Sequence, residues 1–380
     1  MIKEITVFTN GDSAEISTWS NVPYFFTETL MKKGIKVNRV NIYADEFIPS
    51  PSKTLIDNYL SKILNRIYKK NNTYNYFRSP FHFRKTRKLI QQSINTYPDS
   101  DVFLFLTFSF SAAGLTNKKI VQFGDWTYDY YFKYFQNREP NWFEKQSINR
   151  ENAMIGGSDL VIALFPAVAE YLKNTYSTSV KYLGNVINSV YTPNKLEIQE
   201  LKRESKNFLF TGSKKYILAA RSLINAFEKV QKSEPEAQLH FIGLQEDDFE
   251  NLPNNVFCYG YLNKANEEEC KMYYDLVKNA RAFVNPSEKW GSFSSSLEMM
   301  HFYTPLIIAP YQEFTETFGS DYKGGYFCTE DDLAEKMELI LKDENYDEMS
   351  NIAHESVSKF TWDSYIDHFL NAVEEVKTKR

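Results

Sequence analysis

Short apolar runs alternate with helical stripes along the first half of the chain. The runs at 5–9, 37–42, 102–108, 120–123, 160–164 and 180–183 have strand length, and the segment 22–33 spaces its apolar residues as a helix does. This alternation predicts a parallel sheet covered by helices. A polar segment at 191–206 (YTPNKLEIQELKRESK) interrupts the pattern and is expected to be a helix-breaking domain boundary. Beyond it the pattern restarts, with strands at 208–210, 239–242, 256–259, 282–284 and 306–309 and helices at about 218–232, 267–277 and 295–302. Tyr365, Ile366, Phe369, Leu370 and Val373 share one face of a last helix, which must dock on something apolar. The expected domains are 1–190, with the terminal helix of 361–380 docked back on it, and 200–360.

Length agrees with two domains, since 380 residues exceed what one ordinary core organises. With 43% hydrophobic and 24% charged residues the chain should fold throughout. The start, MIKEITVFTNGDS, lacks the basic end and apolar centre of a secretory leader, so a cytoplasmic protein is expected. The most apolar stretch, 102–115, is too short to span a bilayer and reads as a buried strand. Cys258, Cys270 and Cys328 show no metal spacing and are expected to be reduced thiols.

Four stretches carry candidate chemistry. Ser17-Thr18-Trp19-Ser20-Asn21-Val22-Pro23 precedes an amphipathic helix ending in KKGIKV. Phe208-Leu209-Phe210-Thr211-Gly212 is followed by Leu223-Ile224-Asn225-Ala226-Phe227 and then by Leu239-His240-Phe241-Ile242-Gly243. Asn285-Pro286-Ser287-Glu288-Lys289-Trp290-Gly291 runs through Leu297-Glu298-Met299-Met300 to Thr304-Pro305-Leu306-Ile307. Lys359-Phe360-Thr361-Trp362 opens the last helix.

In this order, over nearly the whole chain, the four stretches resemble the GT-B glycosyltransferases of the retaining family 4, the group 1 transferases. The resemblance implies two Rossmann-like, doubly wound α/β domains with an inter-domain cleft. It implies a hexosyl transfer from a UDP- or GDP-linked sugar to a saccharide or polyprenyl-diphosphate-linked acceptor, in envelope polysaccharide or similar glycan synthesis. It places Trp19 and Ser20 on the acceptor side, and Gly212, Trp290, Gly291, Ser292, Ser294, Ser295 and Glu298 at the donor. The third stretch has its own rationale. Gly291 lets backbone approach a ligand, and Ser294 and Ser295 begin a helix whose unpaired N–H groups suit a phosphate. Glu298, acceptor-only when ionised, suits the paired hydroxyls of a ribose.

Departures from the family pattern bear on mechanism. The family has two glutamates with seven residues between them, and Trp290 stands where the first belongs. Either Glu288 reaches the same space as a catalytic carboxylate, or Trp290 stacks on sugar or base. The family's phosphate-loop Arg and Lys are Ser213 and Leu218 here, leaving Lys214 or Lys215 to stabilise charge on the departing phosphate. Asp125, in Gly124-Asp125-Trp126-Thr127 at the carboxyl end of a strand, either orients the sugar or acceptor hydroxyl beside Trp126 or caps the next helix. Retaining transfer needs no protein nucleophile and no metal is expected; Asp247-Asp248 and Asp331-Asp332 read as surface charge.

Net charge of −5 conceals one asymmetry. Between 53 and 88 stand ten basic residues against one acid, Asp57, with aromatics among them. This pattern is expected to give a peripheral contact with an anionic membrane, at the inner face, and no recognised nucleic-acid module accompanies it. The alternative to a transferase is a catalytically silent GT-B-like subunit that binds a partner or glycan.

Overall fold

In the computed structural model, which describes residues 2–43, 51–67, 72–289 and 293–378, the apolar runs of the first half become strands of one sheet. β1 (Glu4–Thr9), β2 (Lys36–Asn41), β3 (Val102–Phe105), β4 (Lys119–Gly124), β5 (Leu160–Ala163) and β6 (Ser179–Tyr182) lie in the order β2-β1-β3-β4-β5-β6, each neighbouring pair parallel. β1, β3 and β5 are buried along their whole length, so both faces of the sheet are covered there. The expected strand at 102–108 stops at Phe105; Phe108 and Phe110 are buried off the sheet, in the loop that follows.

The connecting helices are α1 (Val22–Lys32), α2 (Pro51–Ile67), α3 (Pro80–Thr96), α4 (Tyr128–Tyr130), α5 (Trp142–Gly156) and α6 (Pro166–Thr175). α4 runs directly into a π-helical turn at Tyr131–Gln136. Proline opens α1, α3 and α6, where its missing N–H has no helical partner to lose. Asn141 and Glu144 close a capping box at the start of α5.

The second half repeats the plan. β7 (Asn207–Thr211), β8 (Gln238–Ile242), β9 (Val256–Cys258), β10 (Ala280–Asn285), β11 (Leu306–Ile308) and β12 (Gly325–Phe327) form a parallel sheet ordered β12-β11-β10-β7-β8-β9. Its helices are α7 (Lys195–Glu204), α8 (Ile217–Ser233), α9 (Glu267–Asn279), α10 (Phe293–His301), α11 (Gln312–Phe318), α12 (Leu333–Lys342) and α13 (Tyr346–Val357). The segment 191–206, expected to break helices, contains α7. Asn194 caps it by accepting from the N–H groups of Leu196 and Glu197. Its buried residues are Ile198, Gln199 and Lys202, and a lysine inside was not legible from polarity. Lys202 Nζ reaches the carbonyls of Val277 (2.8 Å) and Ala280 (2.9 Å) and Thr304 Oγ1 (2.9 Å), and burial holds its pKa well below the usual lysine value.

Contacts divide the chain into two units, Met1–Asn185 with Trp362–Arg380, and Val186–Thr361. The last helix, α14 (Trp362–Glu375), therefore belongs to the first unit, where it packs on α1. Phe26 of α1 is the hub. Its ring meets Phe369 at 4.9 Å, Phe123 at 5.5 Å, Trp362 at 5.8 Å and Tyr365 at 6.4 Å, each edge to face. Lys33–Asp367 at 2.7 Å and Lys119 Nζ on the Val373 carbonyl at 2.5 Å fix the helix at its rim. Phe369→Ala should cost about 3–5 kcal/mol by opening a void against Phe26. Denaturant unfolding reads this directly, and an unchanged midpoint would show that α14 adds nothing to the first unit.

Candidate functional site

Each sheet reverses its winding once. In the first unit β1 connects towards β2 and β3 towards β4, so the reversal lies between β1 and β3; in the second it lies between β7 and β10. Open parallel sheets bind ligands beyond the carboxyl ends of their strands at such points.

A cavity of about 320 Å³ occupies that place in the first unit, bounded by Thr9 and Asn10 after β1, Thr107 and Ser109 after β3, and Asp125 and Trp126 after β4. Its wall is held by Gln122, fully buried in β4. The Gln122 amide donates to the carbonyls of Thr107 (3.2 Å), Phe108 (3.0 Å) and Phe110 (3.0 Å), while its oxygen accepts from Ser158 Oγ at 2.9 Å. Gly124 lets the backbone pass close to the Phe108 ring, which a Cβ here would meet at 3.0 Å. Trp19 lines the cavity from a turn in which Trp19, Ser20 and Asn21 all have positive φ (38°, 53° and 69°). Each non-glycine residue held this way costs roughly 1–2 kcal/mol, and such strain gathers at functional sites. Ser20 is exposed in that turn and does not line the cavity. Trp126 does, braced by Tyr130 at 4.9 Å and Phe135 at 6.1 Å. Asp125 is half-buried in the wall, and the cap of the next helix is Thr127, whose hydroxyl accepts the Tyr130 N–H at 3.0 Å.

Arg78 and Glu151 also line the cavity and escaped the sequence reading. Arg78 Nη1 donates to Ser109 Oγ (3.2 Å) and Glu151 Oε2 (3.3 Å), and its guanidinium lies 3.9 Å from the centre of the Tyr128 ring. Glu151, buried on α5, accepts from Ser109 Oγ at 2.8 Å and from the Tyr128 N–H. Arg78 stood inside the basic run of 53–88, which gives no sign of the residues that turn inward. Arg87 turns inward too, onto the Ser111 carbonyl at 2.9 Å, and burial lowers its pKa.

In the second unit Gly212 follows β7 and packs against Gly243, which has φ +94° and whose Cβ, if present, would lie 2.6 Å from the Gly212 oxygen. The turn Lys214–Tyr216 follows and leads into α8. Both lysines are exposed; Lys214 pairs with Asp248 at 2.5 Å, and Lys215 Nζ lies over the Tyr216 ring at 4.8 Å. Across the reversal, Asn285 ends β10 and accepts the Ser287 N–H at 3.1 Å, folding the chain into a turn where Glu288 is exposed. Trp290, Gly291 and Ser292 lie outside the described residues. Ser294 and Ser295 are in the first turn of α10, the former exposed and the latter half-buried.

Glu298 is buried on α10 with its carboxylate fully engaged. Lys264 Nζ donates to Oε1 (2.7 Å) and Oε2 (2.8 Å), Tyr274 to Oε1 and Tyr273 to Oε2, both at 2.8 Å. Burial and the adjacent carboxylate raise the pKa of both phenols, which stay neutral donors.

The comparisons bear on the family and the fold. Residues 193–377 match the family Glycosyl transferases group 1. The match covers just under half of the chain and makes the second unit similar to that family. The whole chain shares the GT-B fold with solved transferases at low identity. Sucrose-phosphate synthase from Thermosynechococcus elongatus superposes with a TM-score of 0.67 at 14% identity, covering 98% of each chain. Anabaena HepE, solved in complex with UDP-glucose, gives 0.61 at 14% identity over 98% of this chain and 99% of that one. A Staphylococcus aureus TarM mutant, solved with UDP, gives 0.57 at 17% identity over 76% of this chain and 59% of that one. No curated protein sequence matches the chain.

In this glycosyltransferase the turn Lys214–Tyr216 keeps both lysines exposed, whereas the Glu298 carboxylate is buried and held by four hydrogen bonds. Glu298→Ala strands a buried ammonium and should cost about 3–5 kcal/mol, while Glu298→Leu combined with Lys264→Met should cost clearly less. Urea unfolding of the single and double variants measures the difference; equal losses would mean the two side chains are not coupled.

Proposed function

We propose that this glycosyltransferase moves a hexose from a UDP- or GDP-linked donor to a saccharide, or to a polyprenyl-diphosphate-linked saccharide, in envelope polysaccharide or similar glycan synthesis. The observation that carries the donor half is the β7–β10 reversal, where the first turn of α10 offers N–H groups to a diphosphate beside a corner that Gly212 and Gly243 let close tightly. UDP in the TarM structure and UDP-glucose in the HepE structure make uridine the first nucleotide to test. The acceptor half rests on the first unit's cavity, where Trp19 and Trp126 supply indole rings and Asn10, Thr107 and Asp125 supply polar groups, a combination suited to a sugar ring.

Transfer proceeds with retention and without a metal in this reading. The bond from the sugar's anomeric carbon to the β-phosphate oxygen breaks, the acceptor oxygen bonds on the same face, and its proton passes to the leaving phosphate. Lys214 or Lys215 and the α10 N–H groups stabilise the charge that develops. Asp125 orients the acceptor hydroxyl.

A cytoplasmic protein resting on the inner face of a membrane fits the surface of α2. Leu55, Ile56, Tyr59 and Ile67 are each roughly two-thirds exposed (67, 67, 69 and 64%), and with Ile63 they fall on one side of the helix, beside exposed Lys62 and Arg66. Lys69 and Lys70, part of the same basic run, lie outside the described residues. No helix among the described residues is long and apolar enough to cross a membrane.

One observation favours the alternative of a silent subunit. Leu218, where the family has lysine, is 73% exposed on the first turn of α8, an apolar residue presented where a phosphate would bind.

Thermal unfolding with UDP, GDP or no ligand separates these readings. A ligand at 100 times its dissociation constant adds about 2.7 kcal/mol to the folded state. A rise with one nucleotide that survives EDTA and shrinks in Glu298→Gln is expected; no rise with either would favour the silent subunit. Flotation with vesicles containing anionic lipid should carry the protein upward in low salt and less so in high salt. Ile56→Asp with Ile63→Asp should abolish it, and wild-type protein left at the bottom in low salt would end the membrane reading.

A further inference from the structure

Glu298 has no vacant position for a ligand. Lys264 occupies one acceptor site on each oxygen and the two tyrosines occupy the others, and a carboxylate offers about four. If the donor ribose binds Glu298, the proposed reading on which this inference rests, one protein donor must leave. The tyrosines are held: both are buried, and the Tyr274 oxygen also accepts the Val190 N–H at 3.1 Å. Lys264 keeps 12% of its side chain exposed and has a rotatable four-carbon stem.

The loop bearing Lys264 is built against the phosphate loop. Gly212 N–H donates to Ile242 O (2.9 Å), and Gly243 N–H to Gly260 O (2.7 Å). Gly260 lies four residues before Lys264. Of the cations around this corner, Lys214 is three-quarters exposed and already paired with Asp248, and Lys215 is exposed over the Tyr216 ring, while Ser213 and Leu218 carry no charge. Without Glu298, the Lys264 ammonium is left with the faces of Tyr273 (4.0 Å) and Tyr274 (5.1 Å). Those are poor compensation for a largely buried cation.

We propose that Lys264 selects the charged donor: it keeps Glu298 closed to uncharged nucleosides and yields it to a nucleoside diphosphate, whose phosphates replace the carboxylate as its counter-ion. An uncharged nucleoside gains the ribose contact and strands the ammonium. A diphosphate brings both partners at once.

Calorimetric titration of the wild type, Lys264→Met and Lys264→Arg with UDP, uridine, GDP and guanosine tests this. The wild type should prefer the diphosphate to its nucleoside. Lys264→Met should lower that preference about ten- to a hundredfold, the range for one charge-assisted hydrogen bond, and should bind the nucleoside more tightly than the wild type does. Lys264→Arg should keep the preference. If Lys264→Met does not fold, Lys264→Gln, which retains an N–H for Glu298 but no charge, should give the same loss. Wild-type protein that takes neither diphosphate overturns the donor reading and this proposal with it. Normal diphosphate binding with an unchanged preference in the uncharged variants overturns the role of Lys264 alone.

Discussion

A parallel strand cannot turn back directly into its neighbour; the chain must cross over the sheet before it returns. Everything functional in this transferase follows from that constraint applied twice. Crossovers put helices on the sheet faces, which is why strands such as β3 and β5 are apolar without alternation and buried end to end. Because the winding reverses once in each sheet, adjacent strands send their chains to opposite sides at one point and leave a gap there. The first unit's cavity and the second unit's phosphate-type corner are those gaps.

The two gaps are furnished differently. In the first unit a buried amide, Gln122, acts as a template for an irregular loop, supplying hydrogen bonds that a strand would have taken from its neighbour. A hydrogen-bonded cluster of Arg78, Ser109 and Glu151 backs the same loop. In the second unit backbone does the shaping, through glycines at Gly212, Gly243 and Gly260, and side chains enter mainly at the Glu298 cluster. The first gap is walled by two indole rings, whereas the second is closed by backbone hydrogen bonds between its glycines and the neighbouring strand ends.

Strands and the order of the motifs were legible in the sequence because β-branched and aromatic runs bounded by polar turns have few other readings. The apolar stripe on α14 was legible for the same reason, five residues on one face. Less visible was anything whose buried face is polar. α7 hides behind Lys202, the cavity wall behind Gln122, and the engagement of Glu298 behind Lys264 and two tyrosines far from it in sequence. Arg78 and Arg87 show the converse: both belong to a run that reads as surface charge and both serve the interior. Polarity reports the average fate of a residue type, and these side chains depart from it because each meets hydrogen-bond partners inside the fold.

The return of α14 to the first unit carries a consequence for biosynthesis. The ring of Phe26 and the end of β4 at Phe123 leave the ribosome long before Phe369, which covers them. At 5–20 residues per second, the interval between residues 123 and 369 lasts roughly ten to fifty seconds. For that time the first unit presents an aromatic face to solvent while the second unit is still being made. The chain's last helix is thus also its last protection, and a nascent chain stalled before it would expose the surface that chaperones recognise.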